Sequence, residues 1–187
     1  MEQSAIGYRL PAIGVRGVAV VLGAAFVALA AQISVPLPGT PVPMTLQPLA
    51  VLLVGGLLGA RLGAASMVLY LAVGVAGLPV FTPTVPLLGV ARLLGPTGGY
   101  LLAYPVAAWC VGALAADGRT VWRVVCGVFA GLVLIHLGGL AQLLILTGNL
   151  SGAARLGTLP FLLGDLGKVA VAVAALTKLT PAVRARL

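Results

Sequence analysis

The sequence predicts an all-α integral membrane protein, a single membrane domain over residues 1–187 with six transmembrane helices and cytoplasmic N- and C-termini. Of its 187 residues, 61% are hydrophobic and 7% are charged, whereas a soluble domain carries about 25% charged residues. A transmembrane helix needs roughly 17–25 mostly apolar residues. The chain has six apolar runs near that size, at residues 17–34, 44–58, 62–78, 97–116, 121–147 and 159–179. The expected location is the bacterial plasma membrane, as a multi-pass protein in the lipid bilayer.

The first apolar run has two interpretations. Arg9 and Arg16 precede it, as expected for a helix that enters the membrane from the cytoplasm. The same basic start, followed by Ala28-Leu29-Ala30, is also typical of a secretory signal with a cleavage site. The run continues to Ile33, which favours a helix that stays in the protein. Cleavage would leave five spans.

The remaining runs follow one another through short connections. The second, residues 44–58, is short for a spanning helix, and a corner from Gly59 to Gly63 joins it to the third. A glycine-flanked corner of this kind predicts a helical hairpin. The fourth and fifth runs have spanning length, and the sixth differs from all others because two charged residues lie in its interior.

The distribution of basic residues predicts the orientation of these spans, because cytoplasmic loops hold the excess of Lys and Arg. With the N-terminus inside, only Arg92 and Arg155 lie in external connections. Eight of the eleven basic residues fall on the cytoplasmic side: Arg9, Arg16, Arg61, Arg119, Arg123, Lys178, Arg184 and Arg186. This agreement supports cytoplasmic termini and an even number of spans.

The net charge of +8 does not indicate nucleic-acid binding. The basic residues are scattered singly between apolar runs, whereas a nucleic-acid interface needs them on one solvated face. Cys110 and Cys126 lie in apolar stretches without a second Cys or a His at zinc spacing. We expect no nucleic-acid partner, no metal and no cofactor.

Eight of the thirteen prolines lie in two connections that the orientation places outside the cell. They are Pro36, Pro38, Pro41 and Pro43 after the first span, and Pro79, Pro83, Pro86 and Pro96 after the third. Proline removes a backbone donor and fixes φ, so these segments are predicted to be stiff, extended loops. They are also unusually apolar. They could be tight caps over helix ends, but their length favours lids over an external pocket.

A glycine-rich segment ends the second of these connections. Gly98 and Gly99 stand before Tyr100 at the entrance of the fourth span. Glycines at a helix entrance allow a ligand to approach the backbone closely and leave N–H groups unpaired. We therefore count Gly98, Gly99 and Tyr100 as candidate ligand contacts, although the glycines lack the spacing of a nucleotide-binding loop.

Asp165 and Lys168 are charged residues in the interior of the sixth span, whereas Lys178 lies at its cytoplasmic end. Each costs about 2.5–3.5 kcal/mol near the centre of a bilayer, and their spacing puts both on one helix face. They could form a purely structural ion pair, but an apolar pair usually stabilises a helix contact equally well. A binding site is favoured: an acceptor-only carboxylate beside a donor-only ammonium suits a urea, an amide or a carboxylate.

Other polar residues could reach the same pocket. Gln47 follows the first proline-rich loop, while Gln142 and Asn149 lie toward the external end of the fifth span. His136 is in the middle of that span, where a single histidine is more often hydrogen-bonded to a neighbouring helix than catalytic. Ala24 and Ala28, four residues apart on the first span, favour close helix packing inside the protein, with a partner protein as the alternative.

Several motifs in order and spacing resemble the BioY family, the biotin-binding S components of energy-coupling-factor (ECF) transporters. The motifs are Pro41-Val-Pro-Met-Thr-Leu-Gln47, Leu57-Leu-Gly59 with Arg61-Leu-Gly63, Gly77-Leu-Pro-Val80, Leu94-Gly-Pro-Thr-Gly-Gly-Tyr100, and Pro160 with Gly164-Asp-Leu-Gly-Lys168. The resemblance covers about residues 20–180. It implies six helices, a biotin pocket near the outer surface, and uptake together with a membrane coupling protein and two ATPase subunits.

The resemblance also implies roles for single residues. Asp165, Lys168 and Gln47 would contact biotin, and Ala24 and Ala28 would dock the coupling protein. Some members of the family have an arginine directly after the motif tyrosine, where this chain has Leu101. Arg92, on the preceding external loop, is the candidate that could replace it.

The chain itself contains no Gly-x-x-x-x-Gly-Lys-Ser/Thr run, so it shows no ATP site and energised transport would need a partner. No catalytic residue is predicted. Two alternatives use the same polar residues: an intramembrane enzyme with His136 or Asp165 as general base, and a proton-coupled carrier with Asp165 as relay. The enzyme alternative lacks a nucleophile and base at a recognisable spacing.

Overall fold

The computed structural model describes residues 12–116 and 118–187, a part of the chain that is mostly helical. Its α-helices are α1 (Ala12–Gln32), α2 (Gln47–Leu58), α3 (Ala60–Val75), α4 (Gly89–Leu94), α5 (Gly98–Leu114), α6 (Val121–Thr147), α7 (Leu150–Gly157) and α8 (Leu162–Arg184). A 3₁₀ turn (Leu159–Phe161) precedes α8, and two short strands, β1 (Ser34–Val35) and β2 (Met44–Thr45), pair antiparallel. Arg9, used above for the orientation, lies outside the described residues.

The predicted class of all-α membrane protein is confirmed. Three segments are long and apolar enough to cross a membrane, Gly14–Gln32, Val121–Thr147 and Leu150–Arg184. The shorter helices α2, α3 and α5 are apolar as well and lie at the second, third and fourth predicted runs. Large apolar side chains cover the outer faces of the long helices, with Leu29 69%, Ile145 77% and Leu163 86% exposed. Such continuous apolar surfaces are those that contact lipid.

The structure differs from the sequence expectation at the helix starts. Met44 and Thr45 form β2 and not the first turn of the second helix, so α2 begins at Gln47 with Pro48 in its first turn, where proline needs no partner for a missing N–H. Two short helices, α4 and α7, were not expected. In α7 the side chain of Asn149 accepts hydrogen bonds from the backbone N–H groups of Ser151 (2.9 Å) and Gly152 (3.3 Å), so this residue is a helix cap.

Glycines allow α5 to pack closely between its neighbours α2, α3 and α6. A Cβ atom at Gly55 of α2 would lie 2.5 Å from the backbone oxygen of Ala108 in α5, and one at Gly112 of α5 would overlap the backbone of Ala60 in α3. Small residues at such crossings bring helix backbones into direct contact in membrane proteins. The tight bundle fixes the positions of the helix ends that form the site.

Arg184 defines one end of the bundle. Its guanidinium donates to the backbone oxygens of Gly56 (2.7 Å) and Gly112 (3.0 Å), so the C-terminal ends of α2, α5 and α8 meet there. A positive side chain at three helix C-termini is electrostatically favourable. Arg16 near the start of α1 donates to the backbone oxygen of Leu187 (3.0 Å). The N-terminal ends of α2, α5 and α8 therefore share the opposite end of the bundle.

Candidate ligand-binding site

A cavity lies at that opposite end of the bundle. The first turns of α2, α5 and α8, the middle of α6 and both proline-rich loops surround it. Its polar lining is Thr45, Gln47, Thr82, Arg92, Thr97, His136, Asp165 and Lys168. The rest of the lining is Val42, Pro43, Pro48, Tyr100, Leu101, Tyr104, Ile135 and Phe161.

Asp165 is the centre of the first polar cluster. Its Oδ1 accepts a hydrogen bond from Lys168 Nζ (2.9 Å), and its Oδ2 lies 2.7 Å from Nε2 of His136 on α6. Asp165 and Lys168 are 3% and 7% exposed. The carboxylate and the ammonium are thus held at the wall of a cavity inside the bundle, where charge is costly without a partner.

Gln47 belongs to a second cluster, on α2 and α3. Its Nε2 donates to the hydroxyl of Tyr70 (2.6 Å), and its Oε1 accepts a hydrogen bond from the hydroxyl of Thr45 (3.3 Å). The Tyr70 hydroxyl donates in turn to the backbone oxygen of Val80 in the second proline-rich loop (3.3 Å). The amide of Gln47 is therefore fixed in one orientation at the cavity wall.

Arg92 on α4 is 1% exposed, although it lies in a predicted external connection. Its Nη1 donates to the backbone oxygen of Val85 (2.6 Å) and its Nη2 to that of Thr82 (3.1 Å). Burial lowers the pKa of the guanidinium, but the ordinary value is so high that the group stays positive. Asp165 is the one acidic side chain in the described part of the chain, and it pairs with Lys168 and His136.

Three buried polar atoms on residues that line the cavity have no hydrogen-bond partner among the described residues. They are Nε of Arg92, the hydroxyl oxygen of Thr97 and Nδ1 of His136. Buried polar groups are normally satisfied, so unpaired polar atoms on these residues favour a polar ligand in the cavity. A buried cation with a spare N–H suits an anionic group such as a carboxylate.

The structure brings five of the predicted site residues to the cavity: Asp165, Lys168, Gln47, Tyr100 and Arg92. The other four lie outside its lining. Gln142 donates to the backbone oxygen of Leu94 (3.1 Å), Asn149 caps α7, and Gly98 and Gly99 face helix contacts. The contacts that the structure gives these four residues are with the helices and loops around the site.

His136 is hydrogen-bonded to Asp165 on the neighbouring helix α8, as expected for a single histidine in the middle of a membrane span. The sequence reasoning missed Tyr104, Thr82 and Phe161 as lining residues. Tyr104 stands one helical turn after Tyr100 on α5, and this spacing is the signal that could have placed it on the cavity face.

The role of Gly99 can be tested separately from ligand binding. A Cβ atom there would overlap the backbone oxygen of Gly138 in α6, so we expect Gly99→Ala to lower the free energy of unfolding by about 1–3 kcal/mol through overpacking. Gly167→Ala is the matched control, since nothing lies within 4 Å of its Cβ position. Thermal unfolding without ligand measures both. Unchanged stability together with weakened ligand binding would instead support a ligand contact at Gly99.

Ala24 and Ala28 lie on the inner side of α1. Ala24 is 7% exposed and belongs to the core, and Ala28 packs against that core. Both also line a groove between α1 and α3 with an empty volume of about 930 Å³. The structure shows Ala24 in helix packing inside the protein, as the spacing of the two alanines favoured.

Comparisons with known proteins agree with this architecture. The model of the BioY family matches residues 9–185. The chain is 40% identical over 154 residues to the probable biotin transporter BioY of Pyrococcus horikoshii, covering 82% of this chain and 89% of the relative. It is 37% identical to the biotin transporter BioY of Thermotoga maritima, covering 79% and 85%. These relatives are transporters and not enzymes.

A solved structure shares the fold. The crystal structure of the S-component for biotin from an ECF-type ABC transporter superposes with a TM-score of 0.81 at 24% identity, covering 91% of this chain and 94% of that one. The family of transporters and the apolar helices together identify a multi-pass protein of the plasma membrane.

Proposed function

Because the chain belongs to the BioY family, we propose that it is the biotin-binding S component of an ECF transporter. The observation that carries this proposal is the buried Asp165–Lys168 pair at the wall of a cavity inside the bundle. Ionisable groups at membrane depth that face a cavity mark substrate sites. The family is one of transporters, so neither an enzymatic reaction nor a proton relay is needed to explain these groups.

Biotin matches the chemistry of the cavity. Its ureido ring presents two N–H donors and a carbonyl acceptor, which complement the carboxylate of Asp165 and the ammonium of Lys168. Its carboxylate complements the buried guanidinium of Arg92. Gln47 contributes a fixed amide, and Tyr100 and Tyr104 contribute aromatic surface for the apolar ring and chain. We assign ligand contacts to Asp165, Lys168, Gln47, Tyr100 and Arg92.

The proposal includes six transmembrane spans with both termini in the cytoplasm. The hydrogen bonds of Arg184 support this topology, because they hold the C-terminal ends of α2, α5 and α8 at the same end of the bundle. Six spans that alternate in direction would place these three ends on one side of the membrane. The excess of basic residues at this end favours the cytoplasmic side. The cavity then opens toward the outside, with Val42 and Pro43 of the first proline-rich loop and Thr82 of the second in its lining.

Energised uptake would require an ECF module with a membrane coupling protein and two ATPase subunits. This chain has no ATP-binding motif, which supports the assignment of ATP hydrolysis to separate subunits. The groove beside Ala28 between α1 and α3 is the proposed docking region for the coupling protein, with Ala24 at its base.

Binding of labelled biotin to the purified chain in detergent tests the function. We expect saturable binding with one site per chain, and energised uptake into vesicles only when the ECF module is present. Biotin oxidation products and unrelated vitamins serve as competitors of graded similarity. Absence of saturable biotin binding by a well-folded preparation would contradict the proposal.

Thr40 of the first proline-rich loop offers a test of the lid. Its hydroxyl donates to the backbone oxygen of Leu156 at the end of α7 (2.5 Å), a bond that holds the loop against the α6–α8 connection. The same hydroxyl accepts from the backbone N–H of Val42 within the loop (3.1 Å). We expect Thr40→Val to raise the dissociation rate of biotin by about twofold or more, since it removes both neutral hydrogen bonds. Thr177→Val is the control, because its hydroxyl bonds only within α8. Equal dissociation rates in the wild type and Thr40→Val would contradict a role for the loop in retaining ligand.

A further inference from the structure

His136 stands in the middle of α6, 29 residues before the carboxylate that it contacts. Its Nε2 lies 2.7 Å from Oδ2 of Asp165, while Lys168 holds the other oxygen, Oδ1, at 2.9 Å. An ionised carboxylate only accepts hydrogen bonds, so Nε2 carries the hydrogen in this contact. Each oxygen of Asp165 has one protein donor and keeps capacity to accept from a ligand.

Lys168 and His136 differ in how well each can fix the orientation of the Asp165 carboxylate. Lys168 is on the same helix, and its flexible stem adapts to many carboxylate orientations. His136 is on another helix, and its short side chain is packed against the ring of Tyr100 with 6.3 Å between ring centroids and an edge-on angle of 78°. The histidine is therefore the partner that can define the plane of the carboxylate.

The ligand cavity is not the only concave surface that Asp165 lines among the described residues. His136 and Asp165 also line a second, apolar groove between α6 and α8. Its rim is lipid-facing, since Phe129, Leu137 and Leu166 are 60%, 54% and 66% exposed. His136 and Asp165 line both this groove and the ligand cavity, and they are hydrogen-bonded to each other.

We propose that His136 is a positioning residue for the ligand site: it holds the carboxylate of Asp165 toward the cavity so that its free acceptor sites meet the N–H donors of the ligand. The inference rests on the proposed function, because it takes biotin as the ligand. The ionisable side chains facing His136 are Tyr100 on α5 and Asp165 and Lys168 on α8. In this role His136 acts through Asp165 by way of its Nε2, and its Nδ1 is not part of the positioning contact.

Three substitutions separate positioning from bulk packing. Gln places an amide N–H near the position of the histidine Nε2. Asn carries the same amide on a side chain one methylene shorter, so it reaches only the position of Nδ1. Leu fills the space without a hydrogen-bond donor. We expect His136→Gln to bind biotin within about threefold of the wild type. We expect His136→Asn and His136→Leu to bind roughly tenfold or more weakly, the effect of losing a hydrogen bond to a charged group.

Equilibrium binding of labelled biotin gives the affinities, and ligand-free thermal unfolding of the Gln and Asn variants shows whether stability differs between them. Rescue by Gln but not by Asn, at equal ligand-free stability, supports positioning. Equal affinities for the Gln and Asn variants, or a Gln variant as weak as the Leu variant, would overturn it. A wild-type protein that does not bind biotin would instead remove the proposed function, so the two failures are distinguishable.

Discussion

Asp165→Asn is expected to weaken biotin binding by about 30-fold or more, because truncating one partner of a buried charged contact costs about 2–5 kcal/mol. The same change also leaves the ammonium of Lys168, which is 7% exposed, without its carboxylate. Removing one partner of a buried ion pair lowers the free energy of unfolding by about 3–5 kcal/mol. Equilibrium binding and ligand-free thermal unfolding measure the two effects.

A matched double variant separates the ligand role from a structural role. Asp165→Asn combined with Lys168→Met leaves no uncompensated charge at this position, so stability should recover toward the wild-type value. Binding should not recover, because both ligand partners are gone. If the double variant regained biotin affinity together with stability, the pair would be a structural contact and its assignment to the ligand site would be wrong.

Arg92→Met is expected to abolish the preference of the protein for biotin over an uncharged ester or amide of biotin. The guanidinium is buried on a residue that lines the cavity, and its Nε has no hydrogen-bond partner among the described residues, so it would be the partner of the ligand carboxylate. Its loss should weaken binding of biotin itself by about 30-fold or more. Binding of the uncharged derivative should change far less. Competition with labelled biotin measures both affinities.

Two controls accompany this variant. Arg92→Lys keeps the positive charge but loses the fork that spans the backbone oxygens of Val85 and Thr82, so it reports how much of the effect comes from fixing the loop. Arg155→Met removes an exposed arginine of the other external connection and should leave binding unchanged. Equal weakening of the acid and its ester by Arg92→Met would assign Arg92 to loop stability alone.

The expectations that succeeded depend on local sequence. Hydropathy over about 20 residues is enough to recognise a membrane helix because the bilayer imposes its thickness on each span separately. The spacing of Asp165 and Lys168 put both on one helix face, and they do form an ion pair. The three-residue offset is set by helix geometry alone, so no knowledge of other helices was needed.

The predicted site residues that lie outside the cavity lining have surroundings that the sequence reasoning did not foresee. Gly98 and Gly99 stand at the start of a span, where a ligand-binding loop could lie. In the structure, a Cβ atom at Gly99 would overlap the backbone of Gly138, about forty positions later in the chain. Asn149 looked like a pocket residue, but its side chain satisfies the first turn of α7. In that case a local signal existed, since asparagine before a short helix is a common cap.

The sequence by itself determined that this is a membrane protein of transmembrane helices, and that Asp165 and Lys168 share a helix face. Both properties follow from interactions within one segment or between one segment and lipid. Only the tertiary structure decided that His136 holds Asp165 from another helix, that Arg92 is buried at the cavity, and that Gln142 supports a loop. These contacts join segments 7 to 48 residues apart, and they exist only because close helix packing brings the segments together.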